Sequence, residues 1–167
     1  MGTAIRDRLR AHYRFRLVLR ATVPPDLHPE DQVIMADVSD AEAMVAACRG
    51  VDAVAHLAIR RWRGMTSEEV VRTTFEVDMP GAYNLYEAAR LAGVPTVVYA
   101  STNHVTGYYE KEGLVSHPDA PVRPDGVYGA GKAFGEALGR FYSDHYGLRV
   151  ICLRVANFAN EEAPRQA

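Results

Sequence analysis

Tyr128 and Lys132 place a phenol and an ammonium four residues apart, a spacing that puts both on one face of a helix. A tyrosine with an ordinary pKa near ~10 is a poor base at neutral pH. A neighbouring cation and the positive end of a helix both favour the phenolate. Lowering that pKa by about two to three units takes roughly 3–4 kcal/mol of differential stabilisation. A phenol so tuned exchanges a proton with an alcohol or a carbonyl. The spacing alone is also that of an ordinary surface pair. Context separates the two, because Ser101 and Thr102 end a strand-like run upstream. Their hydroxyls would stand at the carboxyl end of a parallel strand, where α/β sheets bind ligands.

The elements that must position these groups follow from the apolar pattern. Residues 96–100, Thr-Val-Val-Tyr-Ala, are β-branched and aromatic and predict a strand. A long polar loop with Pro118, Pro121 and Pro124 comes next, and loops of that kind tend to carry function. The spacing then predicts a helix over 128–145, stopped by Gly147, and a strand over 148–153. Upstream, residues 3–12 form a helical pattern, 15–19 a strand, and Pro24-Pro25 a break. Residues 33–35 are a short strand, and Ser39 caps a helix over 41–48 that stops at Gly50. Residues 51–57 are a strand, and Thr66-Ser67-Glu68-Glu69 opens a long helical pattern ending at Gly93. Strands alternating with helices predict an α/β fold, a parallel sheet with helices on both faces.

The bulk properties set limits on partners. At 167 residues the chain suits one domain and is short for two. It is 48% hydrophobic and 24% charged, an ordinary soluble composition. A net charge of −2 gives no electrostatic case for nucleic acid or an anionic membrane. The one basic stretch, Arg60-Arg61-Trp62-Arg63, is expected to be a solvated loop beside a pocket. No apolar run approaches the ~20 residues that span a bilayer. The first residues are too charged for a signal peptide. Cys48 and Cys152 match no metal or redox spacing and are expected to be buried small residues in a reducing cytoplasm.

Taken together, several segments resemble the extended short-chain dehydrogenases, the NAD-dependent epimerase/dehydratase family. They are Asp37-Val38, Val54-Ala55-His56-Leu57-Ala58, the run from Gly81 to Ala89, Ser101 through Gly107, Tyr128/Lys132 and Leu153-Arg154. They come in the family's order and at its spacing over nearly the whole chain. Ser101-Thr102-Asn103-His104, Gly107-Tyr108-Tyr109 and Arg123-Pro124-Asp125-Gly126-Val127-Tyr128 are most similar to uronate dehydrogenase-like members.

The resemblance implies a Rossmann-like parallel sheet and an NAD or NADP cofactor. It makes Tyr128 the acid/base, and makes Lys132 the holder of the nicotinamide ribose and the group that lowers the tyrosine pKa. Thr102 would hydrogen-bond the reacting oxygen and stabilise its developing charge. Asn103 and His104 would face the substrate, with a loop-capping role as the alternative for His104. Gly2 matches the third glycine of the phosphate-binding loop. Asp37 would contact the adenine, unless it is an ordinary turn aspartate, and Val38 would pack beside it. Leu57 and Ala58 would line the dinucleotide, while His56 is expected to be a packed strand residue.

The sequence also departs from the pattern. The family's opening strand and first two glycines have no counterpart before Gly2, and the substrate-binding lobe that would follow Asn157 is likewise missing. The expectation is a partial NAD(P)-binding domain over 1–167, weakened in stability and cofactor affinity. Arg20 stands where an acidic residue usually binds the ribose, which tilts the choice towards NADP; a solvated arginine is the alternative. Asp78 stands where asparagine is common. The expected activity is hydride transfer on a sugar acid. A sugar-nucleotide epimerase or dehydratase, or a non-catalytic remnant, are the other readings. The long helices of such folds also form homodimer interfaces.

Overall fold

A computed structural model describes residues 1–59, 64–156 and 158. The basic stretch at 60–63 and Asn157 lie outside the described residues. The element order is α1 (Gly2–Leu9), β1 (Arg16–Leu19), β2 (Gln32–Met35), α2 (Ala41–Cys48), β3 (Val54–His56) and α3 (Ser67–Thr73). There follow a π-helical turn (Thr74–Asp78), α4 (Met79–Ala92), β4 (Thr96–Thr102), a 3₁₀ turn (Asn103–Val105), α5 (Gly107–Lys111), α6 (Val127–Tyr146) and β5 (Arg149–Val155).

All strand pairs are parallel, and they form two sheets, β1-β2 and β3-β4-β5. Among the described residues no strand bridges β1 and β3, so the ladder is divided in two. β4 is the central strand of the larger sheet and pairs with β5 from Thr96↔Arg149 to Thr102↔Val155. Its alternation buries Val97, Tyr99 and Ser101 on one face. α6 packs on that face so closely that a Cβ at Gly135 would collide with the Tyr99 ring. The core joins Met44 and Cys48 of α2, Leu85, Tyr86 and Ala89 of α4, Val97 and Tyr99 of β4, and Tyr142 of α6. Burying a side chain such as Leu85 fully contributes about 1.5–3 kcal/mol.

Several local expectations change. The cap of α2 is Asp40, whose carboxylate accepts from the Ala43 amide, and not Ser39. Ser39 is drawn the other way, its hydroxyl donating to Asp37 Oδ1 at 2.9 Å. Thr66 and Glu69 do form a capping box. The helical pattern to Gly93, however, is interrupted by the π turn at Thr74–Asp78. Pro80 lies in the first turn of α4, has no N–H and crowds the carbonyl four residues back, so the wider turn relieves it. The loop after β4 holds the 3₁₀ turn and α5. Cys48 is buried and Cys152 only half-buried, both as free thiols. No helix among the described residues is long and apolar enough to cross a membrane.

Candidate active site

The carboxyl end of β4 is where the predicted groups meet. Thr102 is the last residue of the strand and is 4% exposed. Its hydroxyl donates to Asn103 Oδ1 at 3.3 Å, accepts from the His104 amide at 3.3 Å and lies beside the Tyr128 phenol. Tyr128 sits in the first turn of α6, with Lys132 one turn further. The Lys132 ammonium is 7% exposed, donates to the Ala100 carbonyl at 2.8 Å and stands 4.8 Å from the centre of the Tyr99 ring. Burial holds it down to about 8, with Asp78 pulling the other way.

One electrostatic expectation is corrected. The Tyr128 phenol is held above its ordinary pKa, not below it. Burial is the main cause and the Asp78 charge adds to it, while the hydrogen bond to Thr102 opposes them. The Lys132 ammonium is directed to the Ala100 carbonyl of β4. Asp78, whose effect the sequence left open, therefore acts on both groups. It ends the π turn and raises the pKa of phenol and ammonium alike.

His104 lies beside the pair, its ring 5.8 Å from that of Tyr128 and edge-on at 66°. Its Nδ1 is 2.9 and 3.0 Å from the two carboxylate oxygens of Asp125. Thr102 caps the 3₁₀ turn with its hydroxyl, and the His104–Asp125 contact ties that turn to the loop before α6. Gly129 is needed here, because a Cβ there would collide with the His104 carbonyl. His56 is buried in β3, stacked on Tyr99 at 5.7 Å, and its pKa is pushed down to about 3 by burial and then by Lys132.

The predicted dinucleotide-binding residues gather at the ends of the other strands. Gly2 opens α1, and a Cβ there would meet only Leu57 Cδ1, at 3.8 Å. The first turn of α1 has no side-chain cap, so its amides remain suited to an anion. Asp37 follows β2, and its Oδ1 accepts from the amide and hydroxyl of Ser39. Val38 is fixed from α4: Asn84 Nδ2 donates to its carbonyl at 3.0 Å, and a Cβ on Gly81 would come 2.8 Å from its Cγ2. Leu57 is half-buried, while Ala58 and Arg20 are exposed. This donor set fits a dinucleotide: helix amides for phosphate, a carboxylate for an adenine amine, apolar Val38 and Leu57 for a base, and an ammonium for ribose.

Sequence reasoning missed two features. Asp125 is one; its signal was a carboxylate three residues before Tyr128. The second is a polar network in which Ser101 Oγ donates to Glu136 Oε1 at 2.5 Å and Arg154 donates to the same carboxylate at 2.7 and 3.0 Å. Glu136 is four residues beyond Lys132, which marks it as sharing that helix face. A cavity of about 740 Å³ opens beside the network, lined by Asn103, Thr106, His117, Glu136 and Arg154 among others. It shares Asn103 with the predicted site but not Thr102, Tyr128 or Lys132. Among the described residues no cluster of His, Cys, Asp or Glu could hold a metal.

Parallel strands with helices between them, and a hydroxyl, phenol and ammonium at the strand ends, define a Rossmann-like nucleotide-binding fold. The NAD dependent epimerase/dehydratase family matches residues 1–166, and the chain belongs to it. The chain is 34% identical over 161 residues to a uronate dehydrogenase of Agrobacterium fabrum, covering 96% of this chain and 58% of that protein. It is 40% identical over 148 residues to an L-arabinose 1-dehydrogenase (NAD(P)(+)) of Haloferax volcanii, covering 80% of this chain and 56% of that protein. A crystal structure of uronate dehydrogenase from Agrobacterium tumefaciens, a mutant complexed with NAD, matches with a TM-score of 0.73 at 35% identity, over 89% of this chain and 54% of that one. A UDP-galactose 4-epimerase structure matches with a TM-score of 0.77 at 27% identity, over 92% of this chain and 51% of that one. The chain thus spans little more than half the length of these relatives.

Proposed function

We propose that this chain is the nucleotide-binding part of an NAD(P)-dependent dehydrogenase that oxidises a sugar acid of the uronate kind. The observation that carries the proposal is the Tyr128 phenol beside the Thr102 hydroxyl, with Lys132 one turn away, at the carboxyl end of a parallel strand. The similarity to uronate and arabinose dehydrogenases supports the substrate class. Gly2, Asp37, Val38, Leu57, Ala58, Tyr128 and Lys132 would hold the dinucleotide, NAD or NADP. When bound, it supplies the acceptor for the hydride leaving the sugar carbon.

The remaining work falls to side chains. Thr102 holds the reacting oxygen, and Tyr128, once its phenol has lost its own proton, takes the proton from that oxygen as the carbonyl forms. Asn103 and His104 face the sugar. Tyr128 is protonated at neutral pH in the arrangement seen here, because burial and Asp78 favour the neutral phenol. It acts as a base only after that proton has left, and positive charge brought beside the phenol favours the loss. A homodimer through the long helices α4 and α6 is part of the same proposal.

Calorimetric titration with NAD(H) and NADP(H) tests the cofactor, and nucleotide reduction in the presence of hexuronates tests the reaction. Tyr128→Phe is expected to lower turnover by about 100-fold or more, the range of general acid–base catalysis, and to weaken nucleotide binding far less than it lowers turnover. Absence of binding by either nucleotide would leave the chain a non-catalytic member of its family.

A further inference from the structure

His104 is held more firmly than a substrate-facing loop residue requires. Its Nδ1 meets both oxygens of Asp125, at 3.0 and 2.9 Å. The Asp125 carboxylate occupies the space a side chain on residue 107 would fill, since a Cβ on Gly107 would come 2.6 Å from its carboxyl carbon. The Asp125 amide donates back to the His104 carbonyl at 3.4 Å, and Lys111 Nζ donates to the Asp125 carbonyl at 3.2 Å. Gly129 lets the first turn of α6 press on the same His104 carbonyl. The imidazole is nevertheless open to the site, its side chain 43% exposed against 20% for Asp125, and edge-on to Tyr128.

We infer that Asp125 is a positioning residue that fixes the proton of His104 on Nδ1, so that Nε2 presents a lone pair to a hydroxyl group of the substrate. This rests on the dehydrogenase reading above and adds what part of the sugar His104 contacts. An ionised carboxylate only accepts hydrogen bonds, so the nitrogen facing it carries the hydrogen. In the neutral ring the other nitrogen is then an acceptor. An acceptor takes a sugar O–H and turns away a carboxylate, which has no hydrogen to offer. The acid group of a sugar acid therefore lies away from His104. The titratable groups facing the imidazole are Asp125 and Tyr128, while Lys111 reaches the backbone behind the pair.

Long-range ¹H–¹⁵N correlation spectra of histidine-labelled protein at neutral pH read the tautomer directly, with His104→Gln assigning the signal among six histidines. The expected result is a protonated Nδ1 and an unprotonated Nε2. Asp125→Asn, whose amide can donate to Nδ1, is expected to populate the Nε2–H form while the backbone amide spectrum keeps its folded pattern. Hexuronate titration is expected to move the Nε2 signal and to bind about tenfold more weakly in Asp125→Asn, the loss of one hydrogen bond. A wild-type Nε2–H ring, or a tautomer unchanged by Asp125→Asn, overturns the role of Asp125 whether or not hexuronate binds. If Asp125→Asn does not fold, the wild-type tautomer decides. An Nε2 signal that moves with a neutral hexose and not with hexuronate overturns the sugar-acid reading and leaves Asp125 in place. A signal that moves with neither ends the hydroxyl contact.

Discussion

The two sheets of this molecule are held by different forces. In β3-β4-β5 the central strand is sunk in an apolar core, with Val97 and Tyr99 at 0% and 2% exposure. In β1-β2 the strands are only half-covered, and Val33 and Met35 are exposed. There Val18 packs against the core, and the other links are polar. Buried Arg6 reaches from α1 to Asp26 at 2.6 Å and Asp31 at 3.1 Å. Arg16 joins β1 to Gln32 and to the carbonyls of Ala47 and Arg49 at the end of α2. The residues proposed for proton transfer stand on the apolar half, and Asp37 stands on the more polar one, with Val38 packed against the core between them. The proton-transfer site thus inherits the rigidity of close packing, and the adenine side depends on directional links that a charge change can undo.

The largest effect is expected in the apolar half. Leu85→Ala empties a fully buried position of α4 and should cost about 2–5 kcal/mol. Urea unfolding followed by circular dichroism would show it. A loss below about 1 kcal/mol would mean that the core is not the common support.

Arg6→Ala is expected to cost less, about 1.5–3 kcal/mol, the range for hydrogen bonds to a charged group. Amide exchange should then quicken across residues 16–35 while residues 96–102 keep their protection. Equal quickening in both sheets would erase the distinction drawn between them.

Acid should produce the smallest effect and confine it to one sheet. Burial pushes the Asp31 carboxyl up, but the His28 amide and Arg6 outweigh it and hold the pKa below the ordinary value. A depressed folded pKa means stability that is present above the unfolded carboxylate range, near ~3.9. That stability disappears as pH falls from there through the lower folded value. Exchange in β1-β2 should rise over that interval before β4 responds, and Arg6→Ala should move the rise to higher pH.

Much of this was legible in the residues. The run 96–100 could only be a buried strand, and Thr66 with Glu69 announced a helix start that the structure confirms. Periodicity put Tyr128 and Lys132 on one helix face and Thr102 at a strand end, while their roles came from the resemblance to the extended short-chain dehydrogenases. Pro80 was a visible signal for the π turn, but its consequence depends on how the preceding turn packs. Asp125 was quoted only as part of a longer motif, since a carboxylate at 125 and an imidazole at 104 become partners only after the chain has turned back.

The sequence by itself determined the alternation of elements, the fold class and the types of group brought to the strand ends, because those follow from short-range periodicity and residue chemistry. Only the tertiary structure decided which way the Tyr128 pKa moves, since that depends on burial, on Thr102 and on Asp78. It also decided the pairing of His104 with Asp125 and the division into two sheets. These are properties of distances between segments far apart in the chain, and no local pattern encodes them.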